Sequence, residues 1–202
     1  MPNLLYLTRH GQTTWNVEKR LQGQLDSPLT ATGVEQSRLV AQALSEVGID
    51  KIITSPLGRA VDTAKICQQA LCSNTLIDKD LAERHLGDWQ GQKLEQIQQD
   101  DNYHNAMALV TDWPIPSGES ALDCGRRLKQ CLINLVQKHA NQNLLVVTHG
   151  EALRCLIYQL NQNTSDDSKK NALYSSAYEL FDNGCIIKLH WNGSHFTFQN
   201  PV

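Results

Sequence analysis

Residues 4–16 read LLYLTRHGQTTWN, an apolar β-type run that stops at Arg9, His10 and Gly11. A strand that ends this way presents an imidazole beside a fixed cation. The cation lowers the pKa of His10 and keeps it unprotonated near pH 7, where a neutral imidazole is a good nucleophile. Phosphate is the anion that suits this pair, because the planar fork of Arg9 matches two phosphate oxygens. Gly11 lets the backbone approach a ligand and adopt positive φ. Thr13, Thr14 and Asn16 add hydroxyl and amide donors on the same short loop.

Outward from this stretch, strand and helix signals alternate, which predicts an α/β fold. Its three layers are a mostly parallel central sheet with helices on both faces and an antiparallel edge. Strands are expected at 4–8, 51–54, 76–78 and 144–148. Apolar residues at helical spacing predict helices over 34–47, stopped by Gly48, and over 121–136. Short strands at 177–181, 185–191 and 195–198 supply the antiparallel edge, the last two joined by Asn192-Gly193, a tight-hairpin signal. Ligands of open α/β sheets bind at the carboxyl ends of the strands, so His10 and His149, each followed by glycine after a strand, face one site. Arg59 follows the strand at 51–54, in the opening turn of a helix whose free N–H groups also attract anions.

With these residues in view, the chain resembles the histidine phosphatase superfamily, the phosphoglycerate-mutase-like proteins. The resemblance rests on Arg9, His10, Gly11, Gln12, Thr13 and Asn16, and on 23–33 (GQLDSPLTATG), 54–64 (TSPLGRAVDTA), 81–91 (LAERHLGDWQG) and 146–150 (VVTHG). It implies a metal-independent phosphomonoesterase in which His10 attacks phosphorus and forms a phosphohistidine. Arg9, Arg59, His149, Gly150 and Asn16 would then hold the phosphate, and Glu83 would serve as acid and later as base. Gln22 and Gly23 join the candidate substrate contacts. Two positions depart from the family pattern, Gln12 where Glu is common and Glu151 where a small or amide residue often stands. A carboxylate at 151 weakens the positive field of the pocket.

Residues 90–119 are the least regular part of the sequence and read as an inserted lid within a single domain spanning 1–202. Within that stretch, 112–119 (DWPIPSGE) is similar to the α-ribazole phosphatases of cobalamin assembly, and Tyr103 and Trp113 would stack on an aromatic base. The short insertion favours phosphatase over phosphoglycerate-type mutase, because water reaches the intermediate more easily. A broad sugar phosphatase and a non-catalytic phosphate-binding regulator are the other readings. The regulator's usual mark is loss of the nucleophile or the acid, and both His10 and Glu83 are present.

Composition fits this account. The chain has 202 residues, 41% hydrophobic and 19% charged, which is ordinary for one globular domain. A net charge of −3 argues against nucleic acid. The absence of a long apolar run and of a leader pattern predicts a soluble, cytoplasmic protein without membrane contact. The six cysteines lack paired spacing and read as buried free thiols rather than disulfides or a metal site. No metal and no cofactor is expected. The expected partner is a small phosphorylated metabolite, and exposed strand edges near the C-terminus would support a homodimer.

Overall fold

The computed structural model describes residues 3–162 and 181–198. The chain runs from β1 (Asn3–Arg9) through the short helix α1 (Thr14–Val17) to α2 (Ala31–Ala43) and β2 (Lys51–Thr54). Next come α3 (Gly58–Leu71), β3 (Asn74–Ile77), α4 (Leu94–Ile97) and α5 (Ala121–Lys138). The last elements are β4 (Leu144–Thr148), α6 (Gly150–Asn161), β5 (Ile186–Trp191) and β6 (Phe196–Phe198). The sheet has six strands in the order β3-β2-β4-β1-β5-β6. Strands β3, β2, β4 and β1 pair in parallel, and the β5–β6 hairpin adds the antiparallel edge.

Alternation along the central strands builds the three layers, since successive side chains of a strand point to opposite faces. Leu5, Leu7, Leu144 and Val146 pack toward α5 and α6. Tyr6, Leu145 and Val147 pack toward α2 and α3. Every residue of β4 is buried, as expected for a central parallel strand covered on both sides. Leu128 of α5 is wholly buried in the first cluster. Leu128→Ala should cost about 2–5 kcal/mol through lost transfer and cavity terms. Denaturant unfolding would measure it, and a loss below about 1 kcal/mol would contradict this packing.

Helix α2 starts earlier and ends earlier than its apolar periodicity predicts. Thr30 caps it by accepting from Gly33 N–H, and a turn replaces the final predicted residues before Gly48 at φ +70°. Residues 192–195 join β5 to β6, so the connection is longer than a two-residue Asn-Gly turn. The Asn192 side chain holds it by accepting from Ser194 and His195 N–H. Most of the predicted strand at 177–181 lies outside the described residues, and Phe181 itself sits in a turn. Four of the cysteines are buried free thiols, whereas Cys72 is exposed and Cys185 half-buried. Among the described residues no helix is long and apolar enough to cross a membrane.

Candidate active site

Parallel register brings the two strand-terminal histidines together. Arg9 of β1 lies opposite Thr148 of β4, and His10 N–H donates to Thr148 O at 3.0 Å. The His10 and His149 ring centroids are consequently 5.2 Å apart. Ser55, just after β2, donates its N–H to Val147 O, and its hydroxyl meets His149 Nε2 at 2.7 Å.

The hydrogen bonds of His10 fix its tautomer. Arg59 Nε, which can only donate, reaches His10 Nε2 at 3.1 Å, so that nitrogen carries the lone pair. The proton sits on Nδ1, 2.8 Å from Gly11 O. Burial, then Arg59 and Arg9, hold the His10 pKa well below the usual imidazole value. His149 is depressed as well, by burial, Arg59, His10 and Arg9. Both rings are therefore neutral at pH 7, and the His10 Nε2 lone pair, which accepts from Arg59 Nε, belongs to a residue of the cleft wall.

The cleft at these strand ends has about 570 Å³ of empty space, open solvent included, and its wall contains Arg9, His10, Asn16, Arg59, Glu83 and Gly150. Gln22, Gly23, Leu86 and Glu151 also line it, as do Arg20, Leu21, Arg154 and Phe181, which carry no local sequence signal for a site. His149 is fully buried and does not line the cleft. Its Nδ1, like Nε of Arg9, is buried without a hydrogen-bond partner. Arg9 is anchored by donation from Nη1 to Phe181 O at 2.8 Å. Its guanidinium lies against Gly150, where a Cβ would come within 3.1 Å of it. Asn16 Oδ1 accepts from Thr13 N–H and Asn183, which orients the amide.

Several expectations are corrected by this geometry. Gly11 has no positive φ, and its bare Cα instead accommodates the backbone of Gly33 at the start of α2. The Thr13 hydroxyl caps α1 and accepts from Gln22, so it is spent inside the loop. The first amides of α3 do not await an anion, because Asp26 accepts from Gly58 and Arg59 N–H and from Arg59 Nη1 at 3.1 Å. Arg59 also donates to Leu25 O and Gly23 O, both at 2.7 Å, which locks the 23–26 loop onto the site. Tyr103 packs in a small cluster with Leu21, Leu86 and Trp89, Trp113 is 48% exposed, and neither lines the cleft. Residues 90–119 give no side chain to the cleft wall. Instead, the carbonyls of Ala106 and Met107 hold Arg84 and Arg154 from behind, at 2.7 and 2.6 Å.

Glu83 likewise occupies a helix start. Its carboxylate accepts from Arg84 N–H at 2.9 Å and, at the head of α6, from Ala152 N–H at 2.8 Å and Glu151 N–H at 3.3 Å. Burial raises its pKa, with Glu151 pushing the same way and Arg59 pulling against them. No group of three or more His, Cys, Asp or Glu among the described residues could hold a metal ion. A nucleophilic imidazole, flanking guanidiniums and a protonatable carboxyl in one cleft can carry out phosphoryl transfer.

The model of the histidine phosphatase superfamily (branch 1) matches residues 5–201. The chain belongs to this superfamily. A Serratia proteamaculans protein named a probable phosphoglycerate mutase, GpmB, is 41% identical over 155 residues, 76% of this chain and 72% of that protein. A solved mycobacterial glucosyl-3-phosphoglycerate phosphatase, complexed with VO3, aligns with TM-score 0.82 at 28% identity, covering 97% of this chain and 96% of that one. An Escherichia coli structure provisionally titled an α-ribazole-5'-P phosphatase aligns with TM-score 0.80 at 25% identity, covering 98% and 95%. This histidine phosphatase relative is thus an enzyme of the phosphatase or mutase type that acts on a phosphorylated small molecule.

Asp26 and Ser55 were not legible as site residues, although both fall within the motifs quoted above. Asp26→Ala should strip the cap from α3 and the carboxylate from Arg59, costing about 1–2 kcal/mol of stability. It should also weaken phosphate inhibition several-fold. Thermal unfolding and inhibition by inorganic phosphate would measure both, and an unchanged variant would remove Asp26 from the site.

Proposed function

We propose that this chain is a phosphomonoesterase that works through a phosphohistidine on His10. The observation that carries the reading is the Arg59 Nε to His10 Nε2 contact, which leaves a neutral, correctly tautomerised nucleophile at the cleft wall. In the first displacement Nε2 attacks phosphorus, the ester P–O bond breaks, and Glu83 gives its proton to the leaving oxygen. In the second, water attacks the phosphohistidine while Glu83 takes up a proton, the P–N bond breaks, and phosphate departs. Arg9, Arg59 and Asn16 hold the equatorial oxygens, and the buried neutral His149, its ring 5.2 Å from that of His10, completes the surroundings of the nucleophile.

Hydrolysis rather than mutase transfer is favoured because residues 90–119 give no side chain to the cleft wall and so do not themselves shield the intermediate from water. Leu21, Leu86 and Phe181 are the apolar surface on which the organic part of a substrate would rest. α-Ribazole 5'-phosphate is one candidate, supported by the 112–119 similarity and by the Escherichia coli neighbour. Phosphoglycerate mutase activity is the second reading, favoured by the identity to GpmB. The test is phosphate release, with chelator present, from α-ribazole 5'-phosphate, phosphoglycerates and sugar phosphates. Release supports the phosphatase and ranks the substrates. Isomerisation of phosphoglycerate without release would replace it by the mutase, and neither activity would leave a phosphate binder.

A further inference from the structure

We infer that Glu151 is a positioning residue for the proton of Glu83, the buried counter-charge that lets Glu83 stay the neutral acid while a phosphate dianion occupies the cleft. The inference rests on the phosphatase reading above. Glu151 is one of the two positions at which the sequence departs from its family pattern, and an unscreened carboxylate there would oppose substrate binding. The structure removes that objection. Both oxygens of Glu151 are engaged by Arg154, Oε1 with Nε and Oε2 with Nη2, each at 3.0 Å. Arg84 Nη1 approaches Oε2 at 3.7 Å.

The same short segment ties this cluster to the acid. Glu151 N–H donates to Glu83 Oε2, and the neighbouring Ala152 N–H donates to Oε1. Arg84 follows Glu83 in sequence and gives it a further backbone donor. Arg84 and Arg154 are themselves fixed by the 106–107 carbonyls, so the charges cannot drift apart.

Charge balance gives the arrangement its purpose. Around Glu83 stand the guanidiniums of Arg9, Arg59, Arg84 and Arg154 and the carboxylates of Asp26 and Glu151. The two histidines are neutral, Arg20 of the cleft wall pairs with Glu18 at 3.3 Å, and Arg127 and Glu119 neutralise each other at 2.8 Å. Among the described residues, a bound phosphate dianion cancels the remaining positive charge with the proton still on Glu83. Without Glu151, the described residues around Glu83 carry one more net positive charge, which favours the ionised carboxylate and draws that proton off.

The test is the pH dependence of turnover for β-glycerol phosphate, whose alkoxide needs a proton, and for p-nitrophenyl phosphate, whose phenolate does not. Glu151→Gln should move the alkaline limb for β-glycerol phosphate about one pH unit lower. It should also reduce that turnover about tenfold at pH 7.5, with a clearly smaller loss for p-nitrophenyl phosphate. Glu151→Asp should keep the limb near its original place. Arg154→Gln should move it the opposite way, and that variant decides the matter if Glu151→Gln fails to fold. An unmoved limb in Glu151→Gln and Arg154→Gln, or equal losses on both substrates in Glu151→Gln, would overturn the inference. A wild-type chain inactive on both substrates would overturn the phosphatase reading beneath it instead.

Discussion

His10→Ala is expected to reduce turnover of any phosphate monoester by at least about 10⁴-fold, because the substitution removes the atom that forms the covalent intermediate. Phosphate binding should survive. Arg9 keeps its anchor on Phe181 O, and Arg59 keeps Asp26, Leu25 O and Gly23 O, so the cationic frame does not depend on the imidazole. A variant that still binds inorganic phosphate but releases none from ester separates nucleophile from binding group. If the variant retained more than about a tenth of the wild-type rate, covalent catalysis at His10 would be wrong.

Glu83→Gln is the second large effect, a slowing of about 10²–10⁴-fold on alkyl phosphates. The amide can keep the Arg84 and Ala152 N–H bonds through its oxygen, so the fold should tolerate the change. Its NH2 end would then face the Glu151 N–H, a donor against a donor, which is a small local cost. The sign of the pH effect follows from the raised Glu83 pKa. The first displacement uses the protonated acid and fails as pH rises through that value, so the wild type should show an alkaline limb that the Gln variant lacks. On p-nitrophenyl phosphate the first step should be little affected, and phosphoenzyme should accumulate because the second step has lost its base. Equal slowing of phosphoenzyme formation on both substrates would take Glu83 out of the acid role.

Much of this architecture was written in local patterns. Parallel strands that end in Arg9-His10 and Thr148-His149 could be read from apolar runs that stop at polar residues, and sheet geometry alone then brings both rings to one edge. Arg59 and Glu83 followed from the motifs around them. What the sequence hid are contacts made across the chain. Asp26 reaches the head of α3, Ser55 meets His149, and Thr63 accepts from Gly11 N–H at 3.0 Å, each through a tertiary hydrogen bond without periodic signature. Tyr103 and Trp113 show the opposite failure. Aromatic residues in an irregular stretch look like a substrate platform, but composition does not say which way a segment faces, and 90–119 turns its backbone carbonyls to Arg84 and Arg154 instead. Glu151 looked like a defect in the positive pocket only because its two arginine partners are invisible in sequence.

The most direct measurement is acid-sensitive trapping of the intermediate. The protein would be mixed with a turned-over phosphate ester for milliseconds, quenched in base, and mapped by mass spectrometry, with His10→Ala alongside. A base-stable, acid-labile phosphoryl group on His10 that appears at the rate of the first turnover is the predicted result. Turnover without any such species, or phosphoryl label on a residue other than His10, would contradict the account at its centre.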